Sequence, residues 1–341
     1  MGPGNGSQTT LPESVSKGIV SAGLLNIFVI TFYVAATGTI SFSGIIFNII
    51  NIIVFLKQGL KDSVNITLFS MAISDTGSLM GLFYVSISFN PWLVNADLPF
   101  DPLDLQHLAG GWVHILFARI TSWITAFVTF ERCLCIALPL KVKNIITPRR
   151  TIVVVVSIYL TMLAFVAPVY YSTRLGPKFF PEKNKTMIGL LYVLNGPSIE
   201  KVSLALNVLA QFGAFFAVII CTVILVHNLL LKSKWRQSTS SSAKQESLSQ
   251  RDKKVVKIVL LISTIFIFCF FPGAVSFIAM STVNGFNVNG RYHNIFLLTW
   301  SMFKTLQATN STVNIFIYYN MSSKYKEILD EMLHRKKGNI D

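Results

Sequence analysis

Seven runs of apolar residues, centred on 28–56, 64–90, 112–139, 151–171, 203–231, 255–281 and 295–319, dominate the chain. Each reaches or exceeds the roughly 20 residues that cross a hydrocarbon core. No water is available in lipid to satisfy an open backbone, so each run is expected to form a helix. Composition agrees with this. Of 341 residues, 52% are hydrophobic and only 13% charged, and the mean hydropathy is +0.58, too apolar for an ordinary soluble domain. The expectation is an all-α membrane protein, a seven-transmembrane helix bundle forming one domain.

Basic residues set the orientation. Lys57 and Lys61 follow span one, and Lys141, Lys143, Arg149 and Arg150 follow span three. Lys232, Lys234, Arg236, Lys244, Arg251, Lys253, Lys254 and Lys257 surround the loop before span six, and Lys324, Lys326, Arg335, Lys336 and Lys337 follow span seven. The positive-inside rule makes these loops cytoplasmic, which places the N-terminus outside and the C-terminus inside, as in a multi-pass plasma-membrane protein. The loop after span two, with Asp97, Asp101 and Asp104, is acidic. The net charge of +14 therefore needs no nucleic acid; anionic lipid headgroups account for it. The first eighteen residues lack a basic n-region, so span one is expected to act as its own insertion signal.

Asn5 and Asn184 head glycosylation sequons on the outer side, although Asn65, Asn310 and Asn320 head the same pattern at positions inside or within the membrane. Cys133, Cys135, Cys221 and Cys269 lie in spans or at their cytoplasmic ends, so no extracellular disulfide is expected. A serine-rich tract from Ser238 to Ser249 lies in the loop before span six. Phosphorylation there would add negative charge and acceptor oxygens that a partner could read, while a plain polar linker is the alternative.

Polar residues within the spans are the most informative, because an ionisable group at mid-bilayer costs about 2.5–3.5 kcal/mol and faces the bundle interior. Asp75 sits midway along span two. Asn48 in span one and Asn310, Ser311 and Asn314 in span seven are its expected company, the last three sharing one helical face. A carboxylate among amides and hydroxyls suits a hard cation such as sodium; a polar cluster joining helices is the alternative. In span six, Phe266, Cys269 and Phe270 share a face just before Pro272. The proline is expected to kink the helix, so its lower half could swing as a lever, or the aromatics could simply pack.

Asn48, Met71-Ala72-Ile73-Ser74-Asp75, Glu131-Arg132-Cys133, Phe266-x-x-Cys269-Phe270-x-Pro272 and Asn314-Ile315-Phe316-Ile317-Tyr318 occur in order along nearly the whole chain. In this the sequence resembles the rhodopsin-like (class A) G-protein-coupled receptors. The stretch from Asn51 to Asn65 is similar in texture to the gastropod chemosensory and FMRFamide-receptor-like branch. The resemblance implies a G-protein-coupled receptor that converts binding of an extracellular small molecule or short peptide into G-protein activation, with no catalysis of its own. It also implies an outer N-terminus over 1–24, a receptor domain over 25–321, and a short amphipathic helix eight with tail over 322–341. On matching positions, Glu131, Arg132 and Asp252 would form the ionic lock and G-protein contact, although Asp252 also sits in a run of solvated charges. Phe266, Cys269, Phe270, Pro272, Asn314 and Tyr318 would form the activation switch. Asp75, Thr121, Asn310, Ser311 and Asn314 would hold an allosteric sodium ion, the one cofactor expected.

Departures from the pattern are informative. His107 stands where a cysteine usually ends span three, and the loop between spans four and five has no cysteine to pair with. Ile158 or Tyr159 stands in place of the span-four tryptophan, Phe270 in place of the toggle tryptophan and Ile315 in place of the proline after Asn314.

Helical phase constrains the ligand. His114 lies about five turns before Arg132 on the same face, with Ala118 and Thr121 between, whereas Arg119 lies about 140° away, towards spans four or five, with a water or carbonyl partner. Lys304 stands about 21 Å above Tyr318, the depth of a ligand cavity. His114, Ala118, Phe270, Phe277 and Lys304 are the expected pocket. The absence of an aspartate at 114 argues against a biogenic amine, and Ala308 stands where opsins carry their retinal lysine. An anionic or strongly accepting ligand met by Lys304 and His114 is the expectation; a Lys304 that snorkels to the interface is the alternative. A multi-span transporter using Asp75 and Lys304 is the competing class, but the inverted repeats it predicts are not seen. No enzyme motif is present.

Overall fold

In a computed structural model, the described residues are 20–137, 142, 145–238, 250–287 and 290–337; Asn5 and most of the serine-rich tract lie outside them, as does the side chain of Asp252. Six helices are long and apolar enough to cross a membrane: Gly23–Gln58, Ser63–Ser88, Pro102–Ala137, Pro148–Ser172, Gly196–Leu231 and Val256–Thr282. They form spans one to six. Their starts carry local stop and start signals. Gly59, at φ 86°, ends span one, where only glycine adopts a positive φ without strain. Asp62 caps span two by accepting from the Asn65 amide at 2.9 Å, and Pro148 follows the Thr147 cap of span four.

The seventh run behaves differently from the expected continuous apolar helix. Span seven is His293–Thr312, broken at Val313 and resumed as Asn314–Met321. It falls short of the other six in apolarity because its inner face carries Lys304, Gln307, Asn310, Ser311 and Asn314. Gln307, Asn310, Ser311 and Asn314 are buried in the bundle, and Lys304 is half-buried. Helix eight, Ser323–Lys337, buries Tyr325 and Leu329 against the end of the bundle.

Burial is inverted relative to a water-soluble fold. Asn48, Asn51, Ser74, Asp75, His114, Thr121, Gln307 and Asn314 are buried, while Phe268, Phe271, Val153, Leu160, Leu209 and Ile220 are exposed. Apolar side chains outward and hydrogen-bonded polar groups inward is the arrangement a lipid solvent selects.

One element departs from an all-helical chain. Between spans four and five, β1 (Thr173–Phe180) pairs antiparallel with β2 (Lys185–Tyr192), from Thr173 opposite Tyr192 to Phe180 opposite Lys185. The connecting turn passes through Asn184 in the left-handed region at φ 46°. All four cysteines are free, so the hairpin is held by other means. Asp104 accepts from Lys178 Nζ at 2.7 Å and from the Leu190 amide at 2.9 Å. The Ile188 amide donates to Pro99 O, and the Asp101 amide to Ile188 O, each at 2.9 Å. Lys185 donates to Asp97 and holds that exposed carboxyl below the usual carboxylate range. The acidic loop after span two is thus the anchor of a basic hairpin.

Candidate functional site

A column of polar contacts runs through the bundle from mid-depth to the end that carries helix eight. Asp75 Oδ1 accepts from Thr121 Oγ1 at 3.0 Å, its Oδ2 accepts from Asn314 Nδ2 at 2.9 Å, and Ser311 also bonds to the carboxylate. Ser74 and Thr121 share a hydroxyl contact at 2.7 Å. Asn48 Nδ2 donates to Ser311 O at 2.7 Å, and its Oδ1 accepts from Asn51 Nδ2 at 3.2 Å. Asn51 Oδ1 in turn accepts from Tyr325 OH of helix eight at 2.5 Å. The residues expected around Asp75 do converge there, except that Asn310 is buried on span seven without being one of the carboxylate's hydrogen-bond partners. The donors that meet the carboxylate are neutral, and among the described residues it forms no ion pair. An uncompensated buried carboxylate beside the Thr121 and Ser311 hydroxyl oxygens fits a hard monovalent cation, while Asn314 presents its amide nitrogen to the carboxylate.

At the helix-eight end of the bundle, Glu131 and Arg132 pair with each other at 2.9 Å and are both buried. Glu131 Oε1 also accepts from Ser63 Oγ at 2.5 Å, and Ser63 shares a contact of 2.7 Å with Thr151. Spans two, three and four are therefore joined through one carboxylate oxygen. Arg132 Nε and Glu131 Oε2 are buried without a partner among the described residues. These groups line a cavity of about 610 Å³ whose other walls include Leu68, Ile258, Tyr318 and Tyr325. Tyr318 stacks edge-on against Phe55 at 5.3 Å and reaches Met71 Sδ at 3.9 Å.

Above this, Phe266 and Phe270 stack at 4.4 Å, and Phe270 meets Phe303 edge-on at 6.1 Å. Cys269 is buried with them, and span six continues through Pro272. Tyr159 of span four donates to Ser70 O at 2.9 Å.

The residues expected to line a ligand pocket divide by their bonding. His114 faces the interior as its phase requires. Its Nδ1 meets Ser78 Oγ at 2.9 Å and its Nε2 meets Gln307 Oε1 at 3.1 Å, so both ring nitrogens tie span three to spans two and seven. This needs close helix approach, which Gly81 provides: a Cβ there would lie 2.7 Å from the His114 amide nitrogen. Ala118 is buried one turn below, and Phe277 packs edge-on to Trp300 at 5.3 Å. Lys304 places Nζ 5.6 Å from the Trp300 ring centre. Arg119 points towards span five, as its phase predicts, and its partner there is a carbonyl oxygen, the side-chain Oε1 of Gln211.

Sequence reading missed three contributors. Ser63 and Gln211 are ordinary polar residues whose role exists only across helices. Glu200, the one acid at the outer start of span five, accepts from Tyr192 OH at 2.7 Å and from Trp112 Nε1 at 3.2 Å and meets His107 Nε2 at 2.6 Å. His107 at the usual cysteine position was the available signal, and its partner turns out to be polar.

The sequence profile described as "Serpentine type 7TM GPCR chemoreceptor Srw" matches residues 35–336. The chain is 23% identical to neuropeptide receptor 22 of Caenorhabditis elegans over 82% of its own length and 63% of the relative's. It is 22% identical to the galanin-like G-protein coupled receptor npr-9 of the same organism, over 83% and 69% of the two chains. With cat (Felis catus) melanopsin it shares 23% identity over 68% and 48%. The chain thus spans somewhat less than two thirds of the first of these relatives.

Proposed function

The chain belongs to the Srw family of serpentine seven-transmembrane G-protein-coupled chemoreceptors, and from that premise we propose that it converts binding of an extracellular small molecule or short peptide into activation of a heterotrimeric G protein. The observation that carries the reading is the buried polar column that links Asp75 to helix eight beside a cytoplasmic cavity containing Arg132. Such a column has discrete bonding arrangements, so it can switch between states rather than bend continuously. The relatives named as peptide receptors favour a peptide or peptide-like ligand.

In this reading the termini lie outside and inside respectively, with Asn184, exposed at the hairpin tip, as a glycosylation site. Arg132, released from Glu131, engages the G protein; Asp252 serves as its second restraint. Tyr318 and the Phe266–Phe270 stack rearrange with span six. Asp75, Thr121, Ser311 and Asn314, joined by Asn310, hold a sodium ion that neutralises the carboxylate. The serine-rich loop recruits kinase and arrestin. Receptor function is favoured over transport because the polar groups form a closed network without broken paired half-helices.

The test is ligand-free G-protein activation in cells across Gα subtypes, at matched surface expression. Asp252→Ala is expected to raise the signal, and adding Arg132→Ala to remove it. No signal from any surface-expressed variant, with or without ligand, would count against a receptor role.

A further inference from the structure

Two cations share the outer half of the bundle without an acid between them. Arg119 comes from span three and Lys304 from span seven, and the two spans are tied beside them by His114 Nε2 and Gln307 Oε1 at 3.1 Å. Among the described residues no carboxylate pairs with either. Gln211 satisfies only part of Arg119. Its Oε1 accepts from Arg119 Nη1 and from Ser122 Oγ, the latter at 3.2 Å, which turns the amide nitrogen away from both. That Gln211 Nε2 is buried without a partner, and so are Arg119 Nε and Trp300 Nε1 beneath the Lys304 ammonium. Buried donors left without acceptors are costly, and unpaired buried cations more so. The set lacks one component, an anionic acceptor.

Resting on the receptor reading, we propose that Arg119, Gln211 and Lys304 form the seat for a carboxylate of the ligand, one that carries an N–H or O–H donor close to the acid. The free Nε edge of the guanidinium matches two carboxylate oxygens side by side, and the Gln211 amide and Lys304 supply the remaining donors. Asn207 Oδ1, one turn from Gln211 on span five, is a buried acceptor without a partner. It suits a ligand that brings an N–H donor beside the acid, such as the amide N–H of an N-acyl amino acid or a peptide C-terminus. His114 is not part of the seat, because both its nitrogens are already engaged.

The experiment uses the full chain in detergent, with N-acetyl-L-phenylalanine, its carboxamide and inorganic phosphate as probes and the melting temperature as readout. The acid is expected to raise the melting temperature by several degrees, the carboxamide and phosphate not to, and Arg119→Gln and Lys304→Met each to abolish the rise. Without a probe, Lys304→Met is expected to melt above wild type, because it relieves an uncompensated cation; this second reading holds even if Arg119→Gln fails to fold. Equal shifts from acid and carboxamide, a larger shift from phosphate, no shift from the acid at saturating concentration, or a Lys304→Met protein that melts lower would each overturn the proposal. Acid-selective stabilisation in a chain that activates no G protein would leave the seat standing and remove the receptor role; coupling without it would do the reverse.

Discussion

Glu131 is buried with one oxygen shared between Ser63 and Arg132 and the other unpartnered. Ser63 therefore helps to keep the carboxylate aligned with its arginine. A hydrogen bond to a charged group contributes about 1.5–3 kcal/mol, so losing it from one state alone shifts the balance between states roughly tenfold or more. Ser63→Ala is expected to raise ligand-free G-protein activation several-fold, measured at matched surface expression, and Thr151→Ala to raise it less, since the Thr151 hydroxyl reaches the carboxylate through Ser63. Unchanged basal activity in Ser63→Ala would show that the contact is equal in both states. This layer was only half legible in sequence. Asp75, Ser311 and Asn314 could be placed together because helical phase and membrane cost both point them inward, and Thr121 was added by the family resemblance. Ser63 could not, because its position follows from how spans two, three and four cross, and a serine costs little to bury anywhere. His114 was correctly aimed inward, but its saturation by Ser78 and Gln307 is a tertiary fact.

Among the elements, the hairpin between spans four and five does without the usual disulfide. Asp104 accepts from a lysine on β1 and a backbone amide on β2, so it spans both strands as a staple would. Being half-buried, the lysine bond is discounted for screening, whereas the amide bond is local and persistent. Asp104→Ala is expected to speed hydrogen exchange of the Leu190 amide about tenfold, consistent with about 1–2 kcal/mol of local opening. Lys185→Ala should change it far less, because Asp97 is fully exposed; an equal effect would shift the anchor from Asp104 to the outer ion pair. The lowered Asp97 pKa makes its contribution present above the ordinary carboxylate range and lost as pH falls through it. Sequence supplied the acids and the basic residues of the two loops but not their pairing, which depends on strand register. The break at Val313 was also hidden, since no proline or glycine marks it.

At the scale of the whole molecule, the proposed sodium site and the cytoplasmic cavity are two ends of one polar column. Six apolar runs and the inward polar face of the seventh made the bundle readable, because a lipid solvent leaves few alternatives. The column's lower half, Asn48 to Asn51 to Tyr325, was not readable, since it joins span one to a helix eight whose docking angle no local pattern encodes. The column makes a prediction about cation removal. A ligand that binds one state stabilises it by RT ln(1 + [L]/Kd), about 1.4 kcal/mol at ten times Kd. Replacing sodium with N-methyl-D-glucamine at constant ionic strength should therefore raise basal signalling and lower the melting temperature by a few degrees. Asp75→Asn should abolish both responses, because it removes the charge that a cation would neutralise while keeping amide hydrogen bonding to Thr121 and Ser311. Tyr325→Phe should keep the sodium-dependent melting shift yet weaken its effect on signalling, since it cuts the column below the ion. If Tyr325→Phe left both responses intact, ion and cytoplasmic end would be coupled through the aromatic packing around Tyr318 instead.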